Sequence, residues 1–78
     1  PNPFNPTSEI EYALPNASAV RLEVFNSLGQ RVAVLVDTHK EAGRHRVAFD
    51  GRSLSTGVYL LRMSTPKFSK TRKMLLQK

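Results

Sequence analysis

Polarity in this chain alternates with a period of two, in short runs separated by turn residues, and no stretch carries apolar residues at helical spacing over three turns. In Glu9-Ile10-Glu11-Tyr12-Ala13-Leu14, the residues Ile10, Tyr12 and Leu14 fall on one side and the two acids on the other. Val20, Leu22 and Val24 then alternate with Arg21, Glu23 and Phe25. Arg31-Val32-Ala33-Val34-Leu35-Val36 is rich in β-branched residues and reads as a strand buried on more than one side. His45, Val47 and Phe49 alternate with Arg44, Arg46 and Ala48. In the run Val58 to Met63, one face carries Tyr59, Leu61 and Met63 and the other Val58 and Leu60. A last run from Phe68 to Gln77 sets Met74 and Leu76 opposite Lys73, Leu75 and Gln77. Because successive side chains of a strand point to opposite faces, such runs build half-buried sheets. The chain is therefore expected to be all-β.

The connections support this reading. Pro15-Asn16-Ala17-Ser18, Asn26-Ser27-Leu28-Gly29-Gln30, Asp50-Gly51 and Ser64-Thr65-Pro66-Lys67 carry the residues that favour turns. Asp37 to Gly43 reads as a polar loop, and Ser53 to Gly57 as a second polar connection anchored by Leu54. About seven short strands at spacings near ten residues fit a small immunoglobulin-like β-sandwich. The 78 residues make a single domain over 1–78, and a domain of this size buries a modest core. With no cysteine, neither a disulfide nor a thiolate metal site is available to reinforce it. No apolar run approaches the roughly 20 residues of a membrane span.

The opening Pro1-Asn2-Pro3-Phe4-Asn5-Pro6 is of a different kind. Each proline fixes φ and lacks an N–H, so the segment continues neither a helix nor a sheet interior. Residues 1–7 read as a stiff lead-in and 8–78 as the sandwich, with Phe4 expected to anchor the junction. The net charge of +6 is concentrated at the other end: the seven basic residues from Arg52 to Lys78 share that third of the chain with no acid. An anionic partner and a solvated, solubilising face are both consistent with this imbalance.

Catalytic chemistry finds little support. His39 and His45 are the only imidazoles; the first falls in the expected loop and the second on an inward strand phase. Neither sits in a metal-ligand spacing with Asp37 or Glu41, so no metal site and no cofactor are expected. Ser27, Ser53 and Ser55 have no nucleophile-elbow context, and Glu9 and Glu11 share an ordinary solvent face. Gly51 to Gly57 lacks the lysine of a phosphate loop. The chain reads as non-enzymatic. Carbohydrate binding lacks an aromatic platform, since there is no tryptophan and Tyr12, Phe49 and Tyr59 fall on core phases. The cluster Lys67-Phe68-Ser69-Lys70-Thr71-Arg72-Lys73 offers cations and one ring for a nucleic acid, but describes a solvated hairpin edge equally well, and no nucleic-acid partner is expected. Asn16-Ala17-Ser18 formally matches a glycosylation acceptor.

The order of these motifs carries more information than any one of them. After the proline-rich opening come Ile10-x-Tyr12-x-Leu14-Pro15 and Val24-Phe25-Asn26-x-Leu28-Gly29-Gln30-x-Val32. Ala42-Gly43-x-His45-x-Val47, Phe49-Asp50-Gly51 and Leu54-Ser55-Thr56-Gly57-Val58-Tyr59 follow, and Thr71-x-Lys73-Met74-Leu75-Leu76-Gln77-Lys78 closes the chain. This succession resembles the type A C-terminal sorting domain of the type IX (Por) secretion system over essentially its whole length. It is also similar to the immunoglobulin-like domain of the flagellar hook-capping protein. Phe49 stands where members of the sorting family commonly carry tryptophan, and Gln77 interrupts the usual aliphatic-then-basic ending.

The resemblance implies a secretion signal covalently linked to an N-terminal cargo. Outer-membrane type IX translocon components would receive it after passage through the periplasm, and a sortase-like protease would act on it, giving a secreted or cell-surface product. It further implies that recognition falls on Gly57, Val58 and Tyr59 and on the terminal Lys73, Met74, Leu75, Leu76, Gln77 and Lys78. Pro1, Asn2, Pro3 and Phe4 correspond to the motif that opens the domain. The alternative is an immunoglobulin-like spacer or assembly module of a multidomain secreted or flagellar protein.

Overall fold

The computed structural model describes residues 7–78, so the opening motif Pro1, Asn2, Pro3 and Phe4 lies outside the described residues. Six strands follow one another: β1 (Thr7–Leu14), β2 (Ser18–Asn26), β3 (Arg31–Lys40), β4 (Gly43–Asp50), β5 (Gly57–Ser64) and β6 (Ser69–Leu76). They form two antiparallel sheets, one of order β1-β4 and one of order β3-β2-β5-β6. The all-β sandwich expected from the alternation is present, with six strands among the described residues in place of about seven. The first strand starts at Thr7, one residue before the expected boundary.

The period-two pattern translates directly into a core. Ile10 and Leu14 of the smaller sheet meet Val20, Leu22 and Val24 of β2, Phe49 of β4, and Tyr59, Leu61, Met63, Met74 and Leu76 of the last two strands, all buried. Phe49 is the largest fully buried side chain among the described residues. Its neighbour Gly51 is there for space: a Cβ at that position would stand 3.1 Å from the Phe49 ring.

Two expectations are corrected around β3. Arg31 to Val36 was expected to be buried on more than one side, but the run is an edge strand in which Val36 is buried and Val34 is 46% exposed. Register shifts opposite Leu22/Glu23 and Val24/Phe25 break the alternation there. Such bulges turn consecutive residues toward one side, and Val32, Ala33 and Leu35 all pack partly against the core. Asp37 to Lys40 is strand rather than loop, because it continues to pair with β2 through Arg21↔Asp37 to Ser18↔Lys40. Polarity suggested a loop, but an edge strand tolerates polar side chains on its outer face. His39 therefore sits on a strand, 3.5 Å from the Glu41 carboxylate.

Glu23 is the other departure. Alternation puts it outward beside Arg21, yet it is only 6% exposed. The strand carrying it is flanked on both sides, with Val34 and Arg62 directly across from Glu23. Its carboxylate accepts a hydrogen bond from Arg31 at 3.1 Å, which supplies the countercharge a buried carboxylate requires.

Candidate functional site

The two segments that the resemblance marks for recognition are hydrogen-bonded neighbours. In the antiparallel β5–β6 pair, Gly57 stands opposite Leu76, Val58 opposite Leu75 and Tyr59 opposite Met74. The turn joining these strands is held by Thr65, whose backbone N–H donates to the Phe68 carbonyl at 2.8 Å and whose Oγ1 accepts from the N–H groups of Lys67 and Phe68 at 3.2 Å each. Among the described residues, β6 lies at the edge of the larger sheet, with one side of its backbone unpaired within that sheet.

The pleat divides the candidate residues into two sets. Tyr59, Met74 and Leu76 point inward and belong to the core. Val58 (42% exposed), the half-buried Leu75 and exposed Lys73 point outward, and Gln77 and Lys78 are exposed beyond the strand. Lys73 lies opposite Leu60, which lies opposite Phe25, so the outer face here is a half-buried apolar patch edged by a cation. Gly57 has no steric reason to be glycine: a Cβ there meets nothing within 4 Å, and its φ is not in the left-handed region.

A third segment joins this end of the sheet, and the sequence reading gave it no role beyond connection. The loop from Gly51 to Thr56 packs over the last residues of the chain. The Lys78 ammonium donates to the Arg52 carbonyl at 2.6 Å, and its backbone N–H approaches Thr56 Oγ1 at 3.4 Å. Tyr59 donates its hydroxyl proton to the Ser55 carbonyl at 2.6 Å, closing the loop from below. Leu54 N–H donates to the Gly51 carbonyl at 3.0 Å. Arg52 folds back on Asp50 through two side-chain hydrogen bonds, at 3.0 and 2.9 Å, and holds that carboxyl down at about 2. The signal for this loop was in the sequence: Asp50-Gly51 before an arginine is a turn in which the acid caps the backbone, and Arg52 N–H does donate to Asp50 Oδ1 at 3.0 Å. The end of the domain thus gathers Arg52, Lys73 and Lys78 around paired β5–β6 backbone.

Both histidines contact Glu41, His39 through its carboxylate and His45 through its backbone carbonyl. His45 stacks on Tyr12 with centroids 5.3 Å apart, and its Nε2–H donates to the Glu41 carbonyl at 2.7 Å. Among the described residues, no group of three or more His, Cys, Asp or Glu is arranged to hold a metal ion. Arg46 bridges Glu9 and Glu11 at 3.8 and 3.0 Å, which makes that acid pair part of a surface ion network. Among the described residues, no helix is long and apolar enough to cross a membrane.

A family model described as the secretion system C-terminal sorting domain matches residues 1–77. No curated protein and no solved structure matches the chain.

Proposed function

We propose, on the premise that this chain belongs to the secretion system C-terminal sorting domain family, that it directs a covalently linked cargo through the outer-membrane type IX translocon by way of the β5–β6 end of its larger sheet. The observation that carries this reading is the pairing of Gly57-Val58-Tyr59 with Met74-Leu75-Leu76 across one antiparallel ladder. Segments separated in sequence become a single surface, and that surface ends on a sheet edge. A sheet edge is a template onto which a receptor adds a strand, and basic side chains beside it select partners by charge.

Within this reading the buried members, Tyr59, Met74 and Leu76, shape the strand, while Gly57, Val58, Lys73, Leu75, Gln77 and Lys78 meet the partner. A glycine that the fold does not require offers close approach to a partner backbone. A sortase-like protease then acts on the delivered product, which reaches the cell surface or the medium by way of the periplasm.

The burial pattern dictates the experiment. Deleting Lys73 to Lys78 removes two core side chains, so its effect mixes unfolding with lost recognition. Substituting surface positions avoids this. Fused to a reporter in a type IX-competent host, the Gly57→Ala and Lys73→Glu domains are expected to fold with unchanged melting temperature and to leave the reporter in the periplasm. Normal surface delivery of both variants would sink the proposed site. Periplasmic retention of a reporter carrying the unaltered domain would sink the sorting role itself.

A further inference from the structure

At the opposite end of the β5–β6 hairpin, a four-stranded sheet faces a two-stranded one, and among the described residues the smaller layer leaves a strip uncovered. The result is a groove of about 390 Å³. One wall is Glu11, Tyr12 and Ala13, the other Lys70, Thr71 and Arg72, and Leu22, Leu61 and Met63 form the floor. Each wall supplies three consecutive residues, so the groove is bounded on both sides by strand edges rather than by one face of a strand. Among the described residues, β1 pairs only with β4, and β6 only with β5.

The charges at this groove are unbalanced. Register places Lys70 beside Met63 and Arg72 beside Leu61, on the side of the sheet that faces the smaller layer. Their aliphatic stems thus lie along the apolar floor. Lys70 approaches the Phe68 ring at 5.7 Å, and neither cation has an ion-pair partner among the described residues. Glu11 across the groove is engaged by Arg46 at 3.0 Å. Tyr12 is desolvated enough that its hydroxyl pKa is raised above the ordinary value.

We infer that this groove accepts an extended segment of a separate protein in which acidic and apolar side chains alternate. The segment pairs its backbone with the open edge of β1, above the floor, so that its apolar side chains face Leu61 and Met63 and its carboxylates, on the opposite face, meet the ends of Lys70 and Arg72. A second copy of this chain is a poor occupant through β6, since two such strands would bring Lys70, Arg72 and Lys73 against one another. A polyanion such as RNA satisfies the cations but leaves the apolar floor unused.

The inference is separate from the sorting site, which lies at the far end of the same hairpin. The test uses the full chain and a short fluorescein-labelled peptide of alternating glutamate and valine, followed by fluorescence anisotropy and amide NMR. The peptide is expected to bind, to shift resonances of residues 11–13 and 70–72, and to weaken at least about tenfold toward a Lys70→Glu/Arg72→Glu domain whose melting temperature is unchanged. It is also expected to weaken about tenfold when serine replaces the valines. Equal binding by the charge-reversed domain overturns the inference, as does equal binding of the serine peptide. RNA binding with no peptide binding overturns it too, as does self-association of the chain through residues 70–72 in sedimentation. None of these outcomes bears on reporter export, so the sorting reading stands or falls on Gly57 and Lys73.

Discussion

Leu76→Ala and Leu75→Ala differ by one position on the terminal strand and are expected to differ several-fold in cost. Leu76 is 0% exposed and sits between two glycines: Gly57 is its register partner, and its Cδ2 lies 3.4 Å from where a Gly51 Cβ would stand. Truncation to alanine removes three carbons, worth about 2.4 kcal/mol of transfer free energy at roughly 0.8 kcal/mol per methylene. A cavity contribution adds to this wherever the surroundings do not collapse, which brings large-to-small core changes to about 2–5 kcal/mol. Here the two flanking glycines have no side chains with which to fill the space, so we expect about 4 kcal/mol. Leu75 is half-buried on the outer face, and its truncation is expected to cost less than about 1 kcal/mol. For a domain of this size each kcal/mol moves the melting temperature by about 4–8 °C, so Leu76→Ala melts roughly 16–32 °C below its parent. Urea and thermal unfolding followed by circular dichroism measure both variants. A loss below about 1 kcal/mol for Leu76→Ala, or equal losses for the two, would refute the assigned register of β6. The contrast also has a use in cells: lost export in the Leu75 variant reports recognition, whereas in the Leu76 variant it reports unfolding.

Four further outcomes follow from the geometry. Arg31→Ala leaves the Glu23 carboxylate buried without its countercharge; since Arg31 is itself half exposed, a loss of about 1–2 kcal/mol is expected in urea unfolding, and Glu23→Gln in that background should restore part of it. Tyr59→Phe removes the hydroxyl that holds the Ser55 carbonyl, which should cost about 1 kcal/mol and speed amide exchange of residues 52–56. Gly29 has a φ of 82°, so Gly29→Ala should destabilise by about 1 kcal/mol although its Cβ meets nothing. Asp50, with its carboxyl held at about 2 by Arg52, contributes stability that is fully present above about pH 4 and lost as pH falls toward 2. Asp50→Asn should therefore flatten the acid limb of a melting-temperature profile between those values while changing its slope little above pH 5.

The inward residues of five strands were legible because most outward positions of those strands are polar, and period-two polarity separates such positions from the core directly. Legibility failed where that premise fails. Glu23 is on the outward phase and still buried, because outward is not the same as exposed for a strand with neighbours on both sides. Val34 is apolar and still half exposed, because bulges in an edge strand spend their alternation on bending the chain. The candidate site was legible as two short motifs, and their pairing came from register, which single-sequence reading does not supply. Gly51 to Gly57 reads in sequence as a connection, since a carbonyl that receives a lysine ammonium leaves no mark in side-chain chemistry. The groove beside Lys70 and Arg72 was visible only as a basic cluster; that these cations border an apolar floor depends on how far one sheet overhangs the other.

The two motifs of the proposed sorting surface lie in one hairpin, and this sets the order in which that surface comes into being. Hairpins of this kind close in about 1–10 μs, whereas sandwiches held by pairings distant in sequence mature over milliseconds to seconds. β1 waits for β4, and β2 waits for β5, across long stretches of chain. Gly57 therefore meets Leu76 early and transiently, since an isolated two-stranded hairpin is marginal in water. The pairing becomes permanent only when Leu22 and Val24 arrive beside Met63 and Leu61. On the proposed reading, a receptor that requires a lasting ladder would sample the domain's maturity as well as its address, rejecting chains whose second strand has yet to dock.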